Sequence, residues 1–139
     1  MSERVVTATI GVTNYQVTFD DDAHHVWHAD EPVSLGGGDS APTPVSLLLS
    51  GLGACTSITL KMYAQRKGWS LDDVQVSLSM DSDEQGSKID RKIVLHGDLT
   101  DEQRERLLQV ANACPVHKIL THPIAIDTGL VATLPATPD

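Results

Sequence analysis

Basic residues are scarce in this chain of 139 residues. Ten Lys and Arg stand against nineteen Asp and Glu, which gives a formal net charge of −9 at pH 7. Because a protein that binds a phosphate backbone needs a basic face, this balance argues against a nucleic-acid partner. An acidic surface is common among soluble proteins, so the charge indicates little beyond that exclusion.

A membrane span and an export signal are also missing from the sequence pattern. The most apolar stretch begins at Val45, contains several Ser and Thr, and ends at Lys61, short of the ~20 residues that a bilayer requires. The N-terminus lacks the basic region followed by an apolar block that is typical of a secretory signal. We therefore expect a soluble cytoplasmic protein with no membrane partner, in which the two cysteines are reduced.

Two catalytic signatures are absent as well. No Gly-x-Ser-x-Gly turn surrounds Ser50 or Ser57, which excludes a nucleophile elbow of that type. No Gly-Lys-Ser/Thr follows the glycines at 36–38, so those glycines do not form a phosphate loop.

A metal site is weakly indicated at most. His24, His25 and His28 lie close in sequence, but on a strand the middle side chain points away from the other two. Cys114 and His117 could supply half a site, yet no second pair with zinc-like spacing accompanies them. We expect no metal.

The stretch 41–69 organises the rest of the chain. Thr43 fits an N-cap, Pro44 fits the first helical position, and Gly68 fits a helix end, which predicts one helix of about 24 residues. From Leu47 to Leu60 apolar residues leave no polar stripe wide enough to face water. Because one sheet covers only one side of such a helix, we expect the same helix of a second subunit to cover the other side.

Two glycines precede a cysteine in the middle of this helix. Gly51 and Gly53 each cost about 1 kcal/mol relative to Ala in a helix interior. Their placement before Cys55 predicts either a close backbone approach or a kink. A kink would give Cys55 the free N–H groups of a restarted helix, which favour a thiolate.

The segments around the helix predict an α+β fold with a mostly antiparallel sheet packed on helices, in a single domain over 1–139. Thr100 opens a second helix with a capping box, and Pro115 ends that helix or begins a short new turn. Leu107, Leu108, Ala111 and Cys114 share one face of it. The predicted strands are Val5–Gly11, Tyr15–Asp20, His24–Ala29, Val74–Met80, Ile89–Leu95 and a last one over Ile124, Ile126 and Leu130–Leu134, before the tail Pro135–Asp139.

Two cysteines on apolar helix faces leave three interpretations open. Both can be small buried hydrophobic residues. They can form a redox pair, in which one thiolate attacks an oxidant and the other thiol resolves the sulfenic acid as a disulfide. The third interpretation is the half metal site that includes Cys114.

The motifs themselves resemble those of the OsmC/Ohr family of thiol-dependent hydroperoxide reductases and their uncharacterised relatives. They keep the family's order over most of the chain after residue 25. The matching blocks are Gly38-Asp39, Ala41–Val45 leading into Leu48-Leu49, Gly53–Thr56, Ile89–Ile93, Leu95–Gly97 and Cys114–His117. The block His28–Pro32, ahead of the glycines, makes the chain look closer to the uncharacterised OsmC-like branch than to the organic-hydroperoxide branch.

This resemblance implies an intertwined homodimer with the central helices buried at its centre. It also implies that Cys55 is the peroxidatic nucleophile and Cys114 the resolving cysteine. The implied activity is reduction of organic (alkyl or lipid) hydroperoxides in oxidative-stress defence, without a cofactor, followed by re-reduction by a lipoyl group or another thiol donor. The substrate pocket would be apolar across the dimer, with lining residues Leu48, Leu52, Thr59 and Met62.

Two departures from the peroxidase branches affect this expectation. Val45 stands where those branches place a Glu, and their early-strand Arg is missing unless Arg4 takes its place. Without a cationic neighbour, a thiol with a pKa near 8.5 is only a few per cent thiolate at neutral pH. Arg91 is the candidate substitute if its face of the strand points at the helix. The departures favour the alternative of a non-enzymatic relative that senses oxidants or binds a small apolar ligand.

Overall fold

The computed structural model describes residues 5–134, so Arg4 and the tail Pro135–Asp139 lie outside the described residues. The chain divides into two compact units, one within Met1–Leu48 and Ile126–Asp139 and the other Leu49–Ala125. The elements in chain order are β1 (Val6–Ile10), β2 (Val17–Asp21), β3 (Val26–Ala29), a short 3-10 helix (Val33–Leu35), α1 (Pro44–Lys67), β4 (Asp73–Asp83), β5 (Gly86–His96), α2 (Asp101–Ala111) and α3 (Pro115–Leu120). The predicted α+β class with antiparallel sheets and one long helix is confirmed.

The first unit contains a three-stranded antiparallel sheet in the order β1-β2-β3. Phe19 in the middle strand is paired with Ala8 on one side and Trp27 on the other. The rings of Phe19 and Trp27 stack with centroids 5.6 Å apart. The three strands predicted before the long helix are therefore confirmed, with ends shifted by a few residues.

A buried carboxylate organises the loop after β3. Asp30 accepts hydrogen bonds from the backbone N–H groups of Tyr15, Glu31 and Ser40 and from the Ser40 hydroxyl, at 2.6–3.1 Å. The bond from the Ser40 hydroxyl, together with those from the backbone, holds the pKa of Asp30 well below its usual range. A Cβ at Gly37 would overlap the carbonyl of Glu31, so only glycine fits this loop.

Helix α1 has the predicted length and ends. Its N-terminus is capped by the Thr43 hydroxyl, which accepts from the Ser46 N–H at 3.2 Å, and it stops before Gly68, which has φ +73°. Its fully buried side chains are spaced four residues apart, at Leu52, Thr56, Leu60 and Ala64. We call this row the buried stripe of α1.

Most of α1 outside the buried stripe is uncovered in the single chain. Four apolar side chains there are 43–65% exposed, namely Val45, Leu48, Ile58 and Met62; we call them the open stripe. Within the described residues, α1 is the one helix that is long and apolar enough to cross a membrane, judged by length and composition alone. In its apolar 18-residue stretch, 17% of the residues are buried. The core helix of a soluble protein passes the same test.

The second unit packs the β4–β5 hairpin against α1. The pairing places Leu78 opposite Arg91 and Val76 opposite Ile93 on the half-buried face of the hairpin. A Cβ at Gly53 would lie 2.9 Å from Leu78 Cδ1, so the glycine allows this close approach. Of the two predicted roles of the helix glycines, close approach is the one found at Gly53, because α1 continues through it without a break.

The core of this unit is formed by α1, the loop after it and α2. The buried residues are Leu60, Ala64, Leu71, Leu107, Val110 and Ala111. Thr100 and Gln103 form the predicted capping box at the start of α2. Leu108 departs from the predicted shared face of α2, since its side chain is 55% exposed whereas Leu107, Ala111 and Cys114 are buried.

The predicted last strand over Ile124, Ile126 and Leu130–Leu134 is wrong. Residues 122–134 form neither helix nor strand, and the large apolar side chains among them are exposed. A strand needs a neighbour that satisfies its backbone N–H and C=O groups, and no strand between residues 5 and 134 pairs with this segment. Spacing of apolar residues alone was therefore insufficient to form a strand here.

Candidate thiol site and the Arg91 cleft

Cys55 lies near the middle of α1, at the edge of the buried stripe. Its side chain is partly buried and lies one helical turn before Thr59, whose hydroxyl lowers the pKa of Cys55. The backbone N–H of Val116, in the first turn of α3, also lowers this pKa. The structure thus places the predicted nucleophile between α1 and the start of α3.

Cys114 is fully buried and caps α3. Its Sγ accepts a hydrogen bond from the His117 N–H at 3.4 Å, in the position that an N-cap side chain takes. Its thiol also interacts with the Cys55 thiol. Both cysteines are free thiols, and the structure brings together the two sulfur atoms that the sequence analysis singled out.

The surroundings of Cys55 disfavour its thiolate. Burial raises the pKa of Cys55, and the interaction with the Cys114 sulfur raises it further. The Val116 N–H and the Thr59 hydroxyl lower it without compensating. Cys55 is therefore mainly a neutral thiol at pH 7, and the activated thiolate expected from a restarted helix is not found.

Arg91 lies on the half-buried face of β5, between Ile89 and Ile93 on the same strand and opposite Leu78 on β4. Its Nη1 donates to Thr56 Oγ1 at 3.0 Å, and its Nη2 donates to Asn112 Oδ1 at 3.0 Å and to His117 Nδ1 at 3.2 Å. These bonds connect β5 to α1, to the end of α2 and to α3. Arg91 thus meets the condition of facing the helix, whereas its role as thiolate partner of Cys55 stays a prediction.

The partners of Arg91 are neutral groups with defined roles. Thr56 Oγ1 donates to the Leu52 carbonyl at 2.7 Å, so it accepts from Arg91 with its lone pair. Because a guanidinium only donates, His117 Nδ1 must accept, and the proton of the neutral ring is on Nε2. Burial and the charge of Arg91 lower the pKa of His117, which keeps this ring neutral.

A cleft of about 460 Å³ opens beside this hydrogen-bond network. We call it the Arg91 cleft. Its volume falls within the range of small-molecule sites. Its lining residues are Leu52, Ser87, Ile89, Arg91, Ile93, Leu108, Asn112, His117, Leu120 and Thr121.

The four residues predicted to line a substrate pocket lie in different surroundings. Leu52 is buried and lines the Arg91 cleft, and Thr59 contacts the Cys55 sulfur. Leu48 and Met62 belong to the open stripe. Their joint pocket would be formed by two chains, so it stays a prediction.

Sequence reasoning missed the partners of Arg91. It considered His117 only as half of a metal site with Cys114 and assigned no role to Thr56 or Asn112. The available signal was Arg91 itself, a charged residue at an apolar position of an alternating strand. Between residues 5 and 134 no group of three or more His, Cys, Asp or Glu is placed to hold a metal. Of the three histidines considered for a metal, His25 instead hydrogen-bonds Asp21, with Nδ1 2.9 Å from Oδ2.

Comparison with known proteins identifies the family. The model of the family described as OsmC-like protein matches residues 36–129. An OsmC-like protein from Mycoplasma pneumoniae superimposes with a TM-score of 0.74 at 19% identity, covering 86% of this chain and 88% of that one. Among curated proteins, none matches this sequence.

Several structural neighbours carry functional names. The organic hydroperoxide resistance protein OhrB of Bacillus subtilis is 24% identical with a TM-score of 0.61, covering 85% of this chain and 90% of that one. The organic hydroperoxide resistance protein OsmC of Legionella pneumophila is 23% identical with a TM-score of 0.63, covering 86% and 90%. At these identities the likeness shows the fold alone. Because the family model spans most of the sequence, from the glycines before α1 to beyond α3, the chain belongs to the OsmC-like family.

Proposed function

We propose that this protein reduces organic hydroperoxides with the thiols of Cys55 and Cys114, in oxidative-stress defence in the cytoplasm. The observation that carries the proposal is the influence of the Cys114 thiol on the pKa of Cys55, with one thiol partly buried on α1 and the other buried at the start of α3. Family membership supports it, as do structural neighbours named for organic hydroperoxide resistance.

The chemistry divides into two steps. The Cys55 thiolate attacks a peroxide oxygen, so that an S–O bond forms, the O–O bond breaks, and the alkoxide takes a proton and leaves as the alcohol. The Cys114 sulfur then attacks the resulting sulfenic acid, so that the disulfide forms and water leaves with the Cys114 proton. The organic peroxide is reduced by two electrons and the cysteine pair is oxidised by two.

The disulfide requires an external reductant. A dithiol such as a lipoyl group, or another thiol donor, attacks it through a mixed disulfide, becomes oxidised itself, and returns a proton to each cysteine. No bound cofactor takes part in this scheme.

The substrate pocket and the active assembly belong to a homodimer in this proposal. The open stripe of α1 exposes apolar side chains on both sides of Cys55 along the helix, and burial against a second copy would remove them from water. The pocket then combines Leu48, Leu52, Thr59 and Met62 from two chains. An apolar entrance favours alkyl peroxides over hydrogen peroxide.

Arg91 is the candidate cation for the Cys55 thiolate. Its hydrogen bonds end on Thr56, the residue after Cys55, and on His117, which donates its backbone N–H to Cys114. A guanidinium near these residues favours a negative charge on sulfur. Arg91 is a positioning residue if its effect is transmitted only through Thr56 and His117.

The alternative is a non-enzymatic redox sensor or a binder of a small apolar ligand. One observation favours it: the pKa of Cys55 is raised, so little thiolate is present at neutral pH. The absence of the Glu and the early-strand Arg of the peroxidase branches points in the same direction.

A single set of assays separates these functions. Reduced protein is mixed with cumene hydroperoxide, loss of free thiol and formation of the Cys55–Cys114 disulfide are followed by mass spectrometry, and turnover is measured with dihydrolipoamide. Cys114→Ser is the matched variant, since it keeps an N-cap acceptor for α3 while removing the resolving thiol. We expect the wild type to turn over and the variant to stop after one equivalent of alcohol.

Other outcomes are equally informative. Slow oxidation by one equivalent without turnover in the wild type supports the sensor. Thiols that stay reduced for hours contradict both redox functions, and an apolar molecule that copurifies with the protein then supports the binder.

A further inference from the structure

Arg91 is a cation without a carboxylate partner. Its three hydrogen-bond acceptors, on Thr56, Asn112 and His117, are all neutral groups. Within residues 5–134 no Asp or Glu forms an ion pair with it. A positive charge that is partly removed from water and not compensated favours binding of an anion.

The guanidinium also has hydrogen-bonding capacity left. Of its five N–H donors, the Nε–H and one N–H of Nη1 have no acceptor within the described part of the chain. His117 cannot supply a negative charge, because its ring is neutral and already accepts from Arg91. An incoming ligand can therefore add an acceptor without displacing the existing bonds.

The walls of the Arg91 cleft fit an apolar body next to this charge. Five aliphatic side chains line it, and its remaining polar groups apart from Arg91 are neutral. A second cleft of about 410 Å³ in the same unit shows the opposite arrangement. There Arg104 is accompanied by Asp101 and Glu105, and its guanidinium donates to the carbonyls of Leu95 and Gly97.

We propose that the Arg91 cleft binds a monocarboxylate with an apolar body, the carboxylate lying on the Arg91 guanidinium and the aliphatic part along Leu52, Ile93 and Leu108. A single guanidinium without a negative partner is neutralised by a ligand with one negative charge. The aliphatic walls disfavour a small hydrated anion such as free phosphate. This site is independent of the peroxidase function, because the ligand need not be a peroxide. Its binding can be measured without any peroxidase assay.

Decanoate is a suitable probe, with decanol as a matched control that keeps the apolar chain and lacks the charge. Both are titrated into reduced full-length protein, below the micelle-forming concentration of decanoate, with calorimetry for affinity and methyl and imidazole NMR signals for location. We expect decanoate to bind at least about tenfold more tightly than decanol, as is typical of a hydrogen bond to a charged group. The shifts should include Ile89, Ile93, Leu108 and His117.

Charge variants test the role of the guanidinium. Arg91→Gln keeps an amide donor but removes the charge, and should weaken decanoate binding about tenfold or more while leaving decanol binding unchanged. Arg91→Lys should retain most of the decanoate affinity. Arg106→Gln, an exposed arginine on α2 whose partners are Tyr63 and Gln109, is the control with no expected effect.

A second pair of variants avoids altering Arg91, in case its hydrogen bonds are needed for folding. Leu108 lines the cleft with its side chain 55% exposed, so substitution there should be tolerated. Leu108→Asp places a competing carboxylate at the cleft and should weaken decanoate binding several-fold more than Leu108→Asn. Equal binding of decanoate and decanol, equal effects of Asp and Asn, or no binding of decanoate at millimolar concentration would each overturn the proposal.

Discussion

Both sides of α1 carry apolar side chains, but one side is buried in the chain and the other is exposed. The buried stripe supplies Leu60 and Ala64 to the core of the second unit and supports Arg91 through Thr56. The side chains of the open stripe are exposed in the single chain. Cys55 lies two turns after Leu48 and two turns before Met62, so it is on the side of the open stripe. The comparison teaches that one side of this helix stabilises its own chain, while the side that carries the candidate nucleophile has its large apolar residues exposed.

The largest expected effect is on the buried stripe. Leu60→Ala should lower the free energy of unfolding by about 2–5 kcal/mol, because the side chain is fully buried and leaves a cavity. Met62→Ala, on the open stripe, is the matched control and should cost less than half as much. Chemical denaturation followed by circular dichroism measures both, and equal losses would contradict the distinction between the two sides.

Substitution of Thr56, the polar residue of the buried stripe, should have the next largest effect on the free energy of unfolding. Thr56→Val removes an acceptor from Arg91 and should cost about 1–3 kcal/mol, since it leaves a partly buried guanidinium with one bond fewer. Thr59→Val, one turn away and only partly buried, should cost less in the same denaturation experiment. If the two valine variants are equally stable, Thr56 does not support Arg91.

A charge on the open stripe tests whether this side of α1 is the interface of the proposed homodimer. Ile58→Asp should raise the dimer dissociation constant at least about tenfold, because an unpaired carboxylate would become buried at the interface. Gln65→Glu adds a charge at an exposed polar position of the same helix and serves as control. Sedimentation velocity over a concentration series measures both variants. A dimer that tolerates Ile58→Asp would exclude this side of α1 as the interface.

The smallest effect concerns Cys55 itself. Since the pKa of Cys55 is raised, the rate of its alkylation should still be increasing above pH 8.5, where a free thiol begins to level off. Cys114→Ser should lower the pKa of Cys55 and speed alkylation at pH 8 several-fold, because the interaction with the second sulfur, which raises that pKa, is removed. The measurement is the pH profile of alkylation, read by mass spectrometry at Cys55.

The same profile tests Arg91 as thiolate partner. If its charge supports the thiolate, Arg91→Ala should raise the pKa of Cys55 further and slow alkylation at pH 8. Arg91→Lys should restore part of the rate, which a purely structural role would not produce. An apparent pKa above 8 that is the same in wild type and Arg91→Ala would rule out this role.

Local signals account for what could be predicted of the fold. Thr43, Pro44 and Gly68 fix the ends of α1 through caps that depend on neighbouring residues only. The last strand was predicted wrongly, because a strand depends on a partner that the alternation of its own residues does not specify. The capping box of α2 is also a local feature, and it was predicted.

The site follows the same rule. The family motifs brought Cys55 and Cys114 to attention, but the hydrogen bonds of Arg91 to Thr56 and His117 span 35 and 26 residues. No spacing pattern encodes such bonds, because they depend on how β5, α1 and α3 pack. The raised pKa of Cys55 has the same origin, since burial and the nearby second thiol are tertiary features.

The guanidinium of Arg91 has a mechanical consequence for the two sulfur atoms. It holds the residue after Cys55 and, through His117, the short helix that Cys114 begins. The alignment of the thiols is thus maintained by a strand that carries neither of them. A change in the position of β5 relative to the helices would alter the separation of the sulfurs before any bond between them forms or breaks.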